Sequence, residues 1–171
     1  LDTFRYWFGD PQRIYCTTRP DPRTQFNHTD GIASYILEYA NGLRAIAIDD
    51  PWTGPAHEGA PSDIGIQWRI EGINGLAIGD IGWCKDPYTT PSSIRYASKG
   101  DYDFTSPKWE ESWFPDAFTG TMAQLLIALE TGEQPTIAGR DNLTTMALVE
   151  AAYQSAAEHR AVELKEIIGE K

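Results

Sequence analysis

Few residues in this sequence are equipped for chemistry, and the histidines come first. His28 stands in Asn27-His28-Thr29-Asp30, two positions from a carboxylate. A histidine oriented by an aspartate makes a general base, so a hydrolase is one reading of the pair. A surface turn at a strand entrance is the simpler one, and no nucleophile is evident nearby. His57 lies in Pro51-Trp52-Thr53-Gly54-Pro55-Ala56-His57-Glu58-Gly59, which gathers indole, imidazole and carboxylate in one loop. Loops at sheet ends often carry binding groups. An aromatic beside polar side chains suits a sugar, which offers both C–H faces and hydroxyls; a plain exposed loop is the alternative. Trp109, Trp113 and Phe114 repeat the combination with Glu110, Glu111 and Asp116. There the alternative is packing, with the acids favoured by a helix N-terminus. His159 reads as a helix C-terminal residue.

Cys16 and Cys84 are the only cysteines. They make neither a disulfide framework nor a metal quartet, so buried free thiols and a cytoplasmic location are expected. The glycines nearest a dinucleotide fingerprint, Gly72, Gly75 and Gly79, have the wrong spacing and lie in a hairpin. The chain alone is therefore not expected to hold a cofactor, and no metal site is expected. Its 171 residues carry a formal charge of −11. That balance argues against nucleic acid, whose phosphates need clustered Lys and Arg. No apolar run approaches the ~18–20 residues of a membrane span. Leu1 opens directly inside an apparent helix, so the chain is expected to be part of a longer protein.

The elements that must position these groups follow from periodicity. Leu1, Phe4, Trp7 and Phe8 share a helical face, and Gly9 before Asp10-Pro11 stops that helix. Arg13 to Thr18 reads as a strand. Asp30–Ala40 and Leu43–Asp49 flank Asn41-Gly42, and Asp63–Glu71 and Leu76–Cys84 flank Asn74-Gly75. Both read as hairpins with two-residue type I′ turns. Ser93–Ser98 adds a strand, making about six. Leu43–Ile48 is apolar almost throughout, which implies cover on both faces. After Trp109 the pattern turns helical. Phe114, Phe118, Met122, Leu125, Leu126 and Leu129 form one stripe, closed by Gly132 and Pro135. A second helix, N-capped near Asp141, carries Leu143, Met146, Val149, Tyr153 and Ala156, and Ala161–Leu164 forms a last short strand. The expected fold is a single α+β domain over 1–171. It is a mostly antiparallel open sheet with helices on one face and the other free for oligomerisation.

Three segments in order resemble one family. The opening Leu1-Asp2 to Arg5-Tyr6-Trp7, then Gly9-Asp10-Pro11, resembles the helix of a His-x-x-Asp motif. Arg69-Ile70-Glu71-Gly72 with Gly75 resembles an x-x-Glu-Gly-x-x-Gly hairpin. The tail runs through Gly132-Glu133-Gln134-Pro135, Gly139-Arg140-Asp141-Asn142 and Glu150-Ala151-Ala152-Tyr153-Gln154-Ser155-Ala156 to Arg160-Ala161-Val162-Glu163-Leu164. Together they resemble the C-terminal domain of the Gfo/Idh/MocA oxidoreductases. The resemblance implies a separate N-terminal Rossmann domain binding NAD or NADP, a catalytic Lys in that domain, and a catalytic His just before Leu1. This chain would then be the substrate-binding and oligomerisation domain of a sugar or polyol dehydrogenase, inactive alone. Asp2, Trp52, His57, Asp63 and Trp113 are the substrate contacts it implies, and the open sheet face is its homo-oligomer interface. The rival reading is a non-enzymatic interaction module, a sheet-mediated dimer or regulatory partner.

Overall fold

A computed structural model describes residues 1–50, 66–81 and 91–169. Trp52, His57, Asp63 and Cys84 lie outside the described residues. The elements, in chain order, are α1 (Asp2–Phe8), β1 (Arg13–Arg19), β2 (Ile32–Glu38), β3 (Arg44–Asp49), β4 (Ile66–Gly72), β5 (Gly75–Ile81), β6 (Ser93–Ser98), α2 (Asp116–Thr131), α3 (Gly139–Glu158), β7 (Val162–Glu163) and α4 (Leu164–Ile168). The class is α+β, and the strands pair as two antiparallel sheets, β3-β2-β1-β7 and β4-β5-β6. The backbone groups into two compact units, one of Leu1–Pro51 with Thr136–Lys171 and one of Trp52–Pro135.

In the first unit, alternation along the strands places Ile14, Cys16, Leu37 and Ala45 toward the helices. Helix α3 closes on them with Ala147, Leu148 and Ala151, and Leu1, Phe4 and Phe8 of the α1 segment pack on the same core. Phe4 meets Tyr35 edge-on with ring centroids 6.2 Å apart, and Phe8 meets Tyr39 at 6.1 Å. Gly9 (φ 79) ends α1 as expected. The opposite face of this sheet aligns Tyr15, Ile36 and Ile46 in one row, and Ile46 and Ile48 are each 71% exposed.

The α3 stripe differs from expectation. Leu143, Met146 and Tyr153 are exposed, and the helix instead buries Thr145, Ala147, Leu148, Ala151 and Ser155. Both sets have helical spacing, but small side chains let the helix axis approach the sheet closely. The helix starts at Gly139 with Ala138 as its N-cap, and Asp141 sits in the first turn with its carboxylate on Arg5. The C-cap is His159, in a left-handed conformation. After β7 the chain forms α4 with a capping box between Glu163 and Glu166, an element not expected from the sequence.

The hairpins are where the sequence put them, with different turns. At the β2–β3 corner only Gly42 has positive φ (87°), and the Gly42 N–H reaches the Tyr39 carbonyl at 3.0 Å. This matches the longer hairpin loops with a single left-handed glycine, which leave Asn41 free to bond the Leu43 N–H at 3.0 Å. In the β4–β5 hairpin Gly72 pairs with Gly75, so Ile73-Asn74 forms the turn. Gly75 serves the sheet instead: a Cβ there would lie 2.5 Å from the Ala97 carbonyl on β6. In the same unit α2 ends at Gly132 (φ 74), as expected, but no residue of α2 is buried and its apolar stripe stays open. Among the described residues no helix is long and apolar enough to cross a membrane.

Candidate functional site

The first unit contains a cavity of about 410 Å³ between the sheet and α3. Cys16 and Thr18 of β1, Ala33 and Tyr35 of β2, and Asp49 of β3 form one side. Thr145, Val149, Ala152 and Tyr153 of α3 form the other, with Leu1, Asp2 and Asp30 completing it. Of the residues that α3 buries against the sheet, Thr145 also lines the cavity. The cavity's ionisable side chains are three carboxylates, two phenols and the Cys16 thiol, with neither Lys nor Arg.

The phenols are held neutral. Burial, then the Asp49 carboxylate, pushes Tyr35 up to about 12. Tyr153 donates its hydroxyl to Asp30, and that bond with the Asp30 charge raises its pKa as well. Burial also raises the Cys16 thiol, which stays protonated and serves as an apolar wall.

Asp2 is held through a chain of hydrogen bonds with a forced direction. Arg5 Nη1 donates to Thr145 Oγ1 at 2.6 Å, and Thr145 Oγ1 lies 2.6 Å from Asp2 Oδ1. A guanidinium only donates, so the Thr145 oxygen accepts from Arg5 and its one proton goes to Asp2. Arg5 is 9% exposed and also pairs with Asp10 (2.7 Å) and Asp141 (3.2 Å). Burial works against its charge, but the hydrogen bonds to Asp10 and Asp141 prevail and raise its pKa. Asp2 Oδ2 makes no hydrogen bond to the described residues. The cavity can therefore supply carboxylate acceptors and a phenol donor to a ligand of many hydroxyls.

His28 is placed for structure. Its Nε2 accepts from the Asp21 N–H at 2.8 Å, and its Nδ1 faces the Phe26 carbonyl at 3.0 Å, which assigns the proton to Nδ1. Gly31 makes the room: a Cβ there would fall 2.1 Å from Nε2. With both nitrogens engaged and Asp30 turned to Tyr153, the pair has no general-base geometry.

Of the site residues expected from the sequence, Asp2 lines the cavity. Trp113 lies in the second unit, where its ring meets Phe118 at 6.3 Å. Trp52, His57 and Asp63 fall outside the described residues. Sequence reasoning missed Thr145, Tyr35, Asp49 and Tyr153 as lining, and Arg5 as the anchor. Only Arg5 carried a signal: it falls between Leu1 and Phe8 at helical spacing, and a charge on an apolar stripe must be paired.

No protein-family profile matches the chain. It is 26% identical to a D-apiose dehydrogenase of Paraburkholderia graminis over 182 residues, covering 99% of this chain and 44% of that protein. It is 26% identical to D-xylose 1-dehydrogenase (NADP(+)) 2 of Haloferax volcanii over 161 residues, 94% of this chain and 44% of that protein. Among solved structures, an aldose-aldose oxidoreductase from Caulobacter crescentus complexed with glycerol shares the fold. Its TM-score is 0.70 at 20% identity, covering 93% of this chain and 43% of that one. The chain thus spans less than half the length of these relatives. Sugar dehydrogenases as relatives and an oxidoreductase fold bear out the resemblance to the Gfo/Idh/MocA oxidoreductases read from the sequence.

Proposed function

We propose that this chain is the substrate-binding and oligomerisation domain of an NAD(P)-dependent sugar or polyol dehydrogenase. The observation that carries the reading is the cavity at Asp2, whose carboxylates and phenols match a polyhydroxylated ligand. Its charge does not suit a dinucleotide: three carboxylates without a lining cation would repel a pyrophosphate. NAD or NADP therefore belongs with the remainder of the longer protein, together with the catalytic Lys and the His just before Leu1 that the resemblance implies. Within this domain Asp2 accepts a hydrogen bond from a sugar hydroxyl, and the Tyr35 phenol donates one. Trp52, His57, Asp63 and Trp113 are further candidate contacts by the same resemblance.

The test is turnover of D-apiose, D-xylose and their polyols by the full-length protein with NAD+ and with NADP+, followed by reduced nicotinamide absorbance. Turnover that falls at least tenfold in Asp2→Asn supports the reading. Absence of both turnover and calorimetric sugar binding in the wild-type protein refutes it. The exposed Tyr15, Ile36, Ile46 and Ile48 face also supports self-association, and with it the rival of a sheet-mediated interaction module. Ile46→Lys with Ile48→Lys should shift light scattering toward monomer. A wild-type monomer at micromolar concentration would remove the oligomer claim.

A further inference from the structure

We infer that Thr145 is a positioning residue for Asp2, set in direction by Arg5; the inference rests on Asp2 being a contact for a sugar hydroxyl. A threonine hydroxyl normally rotates to suit its neighbours. Here it cannot, because the buried Arg5 occupies its oxygen at 2.6 Å and leaves its proton only for Asp2 Oδ1. Arg5 is itself fixed by Asp10 and Asp141, so the chain of bonds ends on a rigid anchor. Arg5 Nη1 also lies 3.8 Å from Asp2 Oδ1, so both constraints fall on the same oxygen. Oδ2 is left as the acceptor for ligand. Asp2 is otherwise largely exposed, with 73% of its side chain accessible, and nothing else in the described structure would hold it in one rotamer. Thr145 comes from α3 and Asp2 from α1, so the contact also ties ligand geometry to the docking of the two helices.

The test uses the full-length protein with D-xylose or D-apiose and its nicotinamide cofactor. Thr145→Val should lower kcat/KM by about 10- to 100-fold, the effect of one charge-assisted hydrogen bond. Thr145→Ser should restore it to within about threefold. Because Thr145 acts through Asp2, adding Thr145→Val to Asp2→Asn should change kcat/KM by less than about twofold. Effects that multiply in the double variant would overturn the inference. A second readout needs no turnover: the Asp2 carboxyl carbon resonance, identified by its loss in Asp2→Asn, should move in Thr145→Val and in Thr145→Ala and return in Thr145→Ser. An unmoved resonance overturns the inference and leaves the sugar-site reading standing. A moved resonance in a protein that turns over and binds no sugar refutes that reading and leaves the hydrogen-bond chain intact.

Discussion

Ser155→Ala is the sharpest test of how α3 is joined to the sheet. Strand β1 is paired along its whole length with β2, but β7 covers only Arg13 and Ile14 on its other side. The Cys16 N–H therefore has no ladder partner, and Ser155 supplies one: its Oγ accepts from Cys16 N at 2.8 Å and donates to the Arg160 carbonyl at 2.6 Å. Ser155 is 0% exposed and Cys16 is 2% exposed, so water cannot take over the donor. An unsatisfied buried N–H costs about 1–3 kcal/mol, whereas the Arg160 carbonyl, on an exposed residue, can be rehydrated and adds little. The expected loss is therefore about 2 kcal/mol. With a urea m-value of about 2 kcal/mol/M, the midpoint by circular dichroism should fall by about 1 M at unchanged m. Amide exchange at Cys16 should accelerate with it. Glu150→Ala, on the exposed face of the same helix, should stay within about 0.5 kcal/mol of wild type. A Ser155→Ala midpoint within about 0.2 M of wild type, with Cys16 still protected, would refute the claim that this hydroxyl completes the strand.

Two other outcomes follow from local geometry. His159 caps α3 at φ 55 and ψ 36, a conformation costly for any side chain, so His159→Gly should raise stability by about 1 kcal/mol in the same urea titration. Glu166 is held down to about 2 by the Arg160 side chain and the Glu163 N–H. A carboxylate depressed in the folded state contributes stability that is present above its unfolded pKa of about 4.3 and is lost as pH falls toward 2. Urea midpoints should decline over that window, and Glu166→Gln should flatten part of the decline; an unchanged profile would show that the pair contributes nothing.

Much of the fold was legible because it is written in local spacing. Gly9 and Gly132 end α1 and α2 where the sequence said they would, since a residue without a Cβ takes the positive φ that each stop requires. Antiparallel hairpins were located by Asn-Gly pairs, although Gly42 alone takes the left-handed position and Gly75 answers to the neighbouring strand. The strand read at Arg13–Thr18 is present as β1, and its faces emerge in the structure, with Ile14 and Cys16 buried and Tyr15 and Thr17 exposed. The stripe Leu143, Met146 and Tyr153 misled because hydrophobicity ranks side chains by size, while close helix–sheet packing selected Leu148, Ala151 and Ser155.

The site was less legible. The sequence by itself determined the types of most elements, the position of the hairpins, the acidic charge and the likeness to sugar oxidoreductases. Tertiary structure decided which face of α3 is buried, that His28 is a loop staple, and that Arg5, Thr145 and Asp2 meet across 143 positions of chain. The reason is physical. Periodicity is a property of neighbours along the chain, but a buried polar group is defined by its partner, and that partner is chosen only when the helix comes to rest on the sheet.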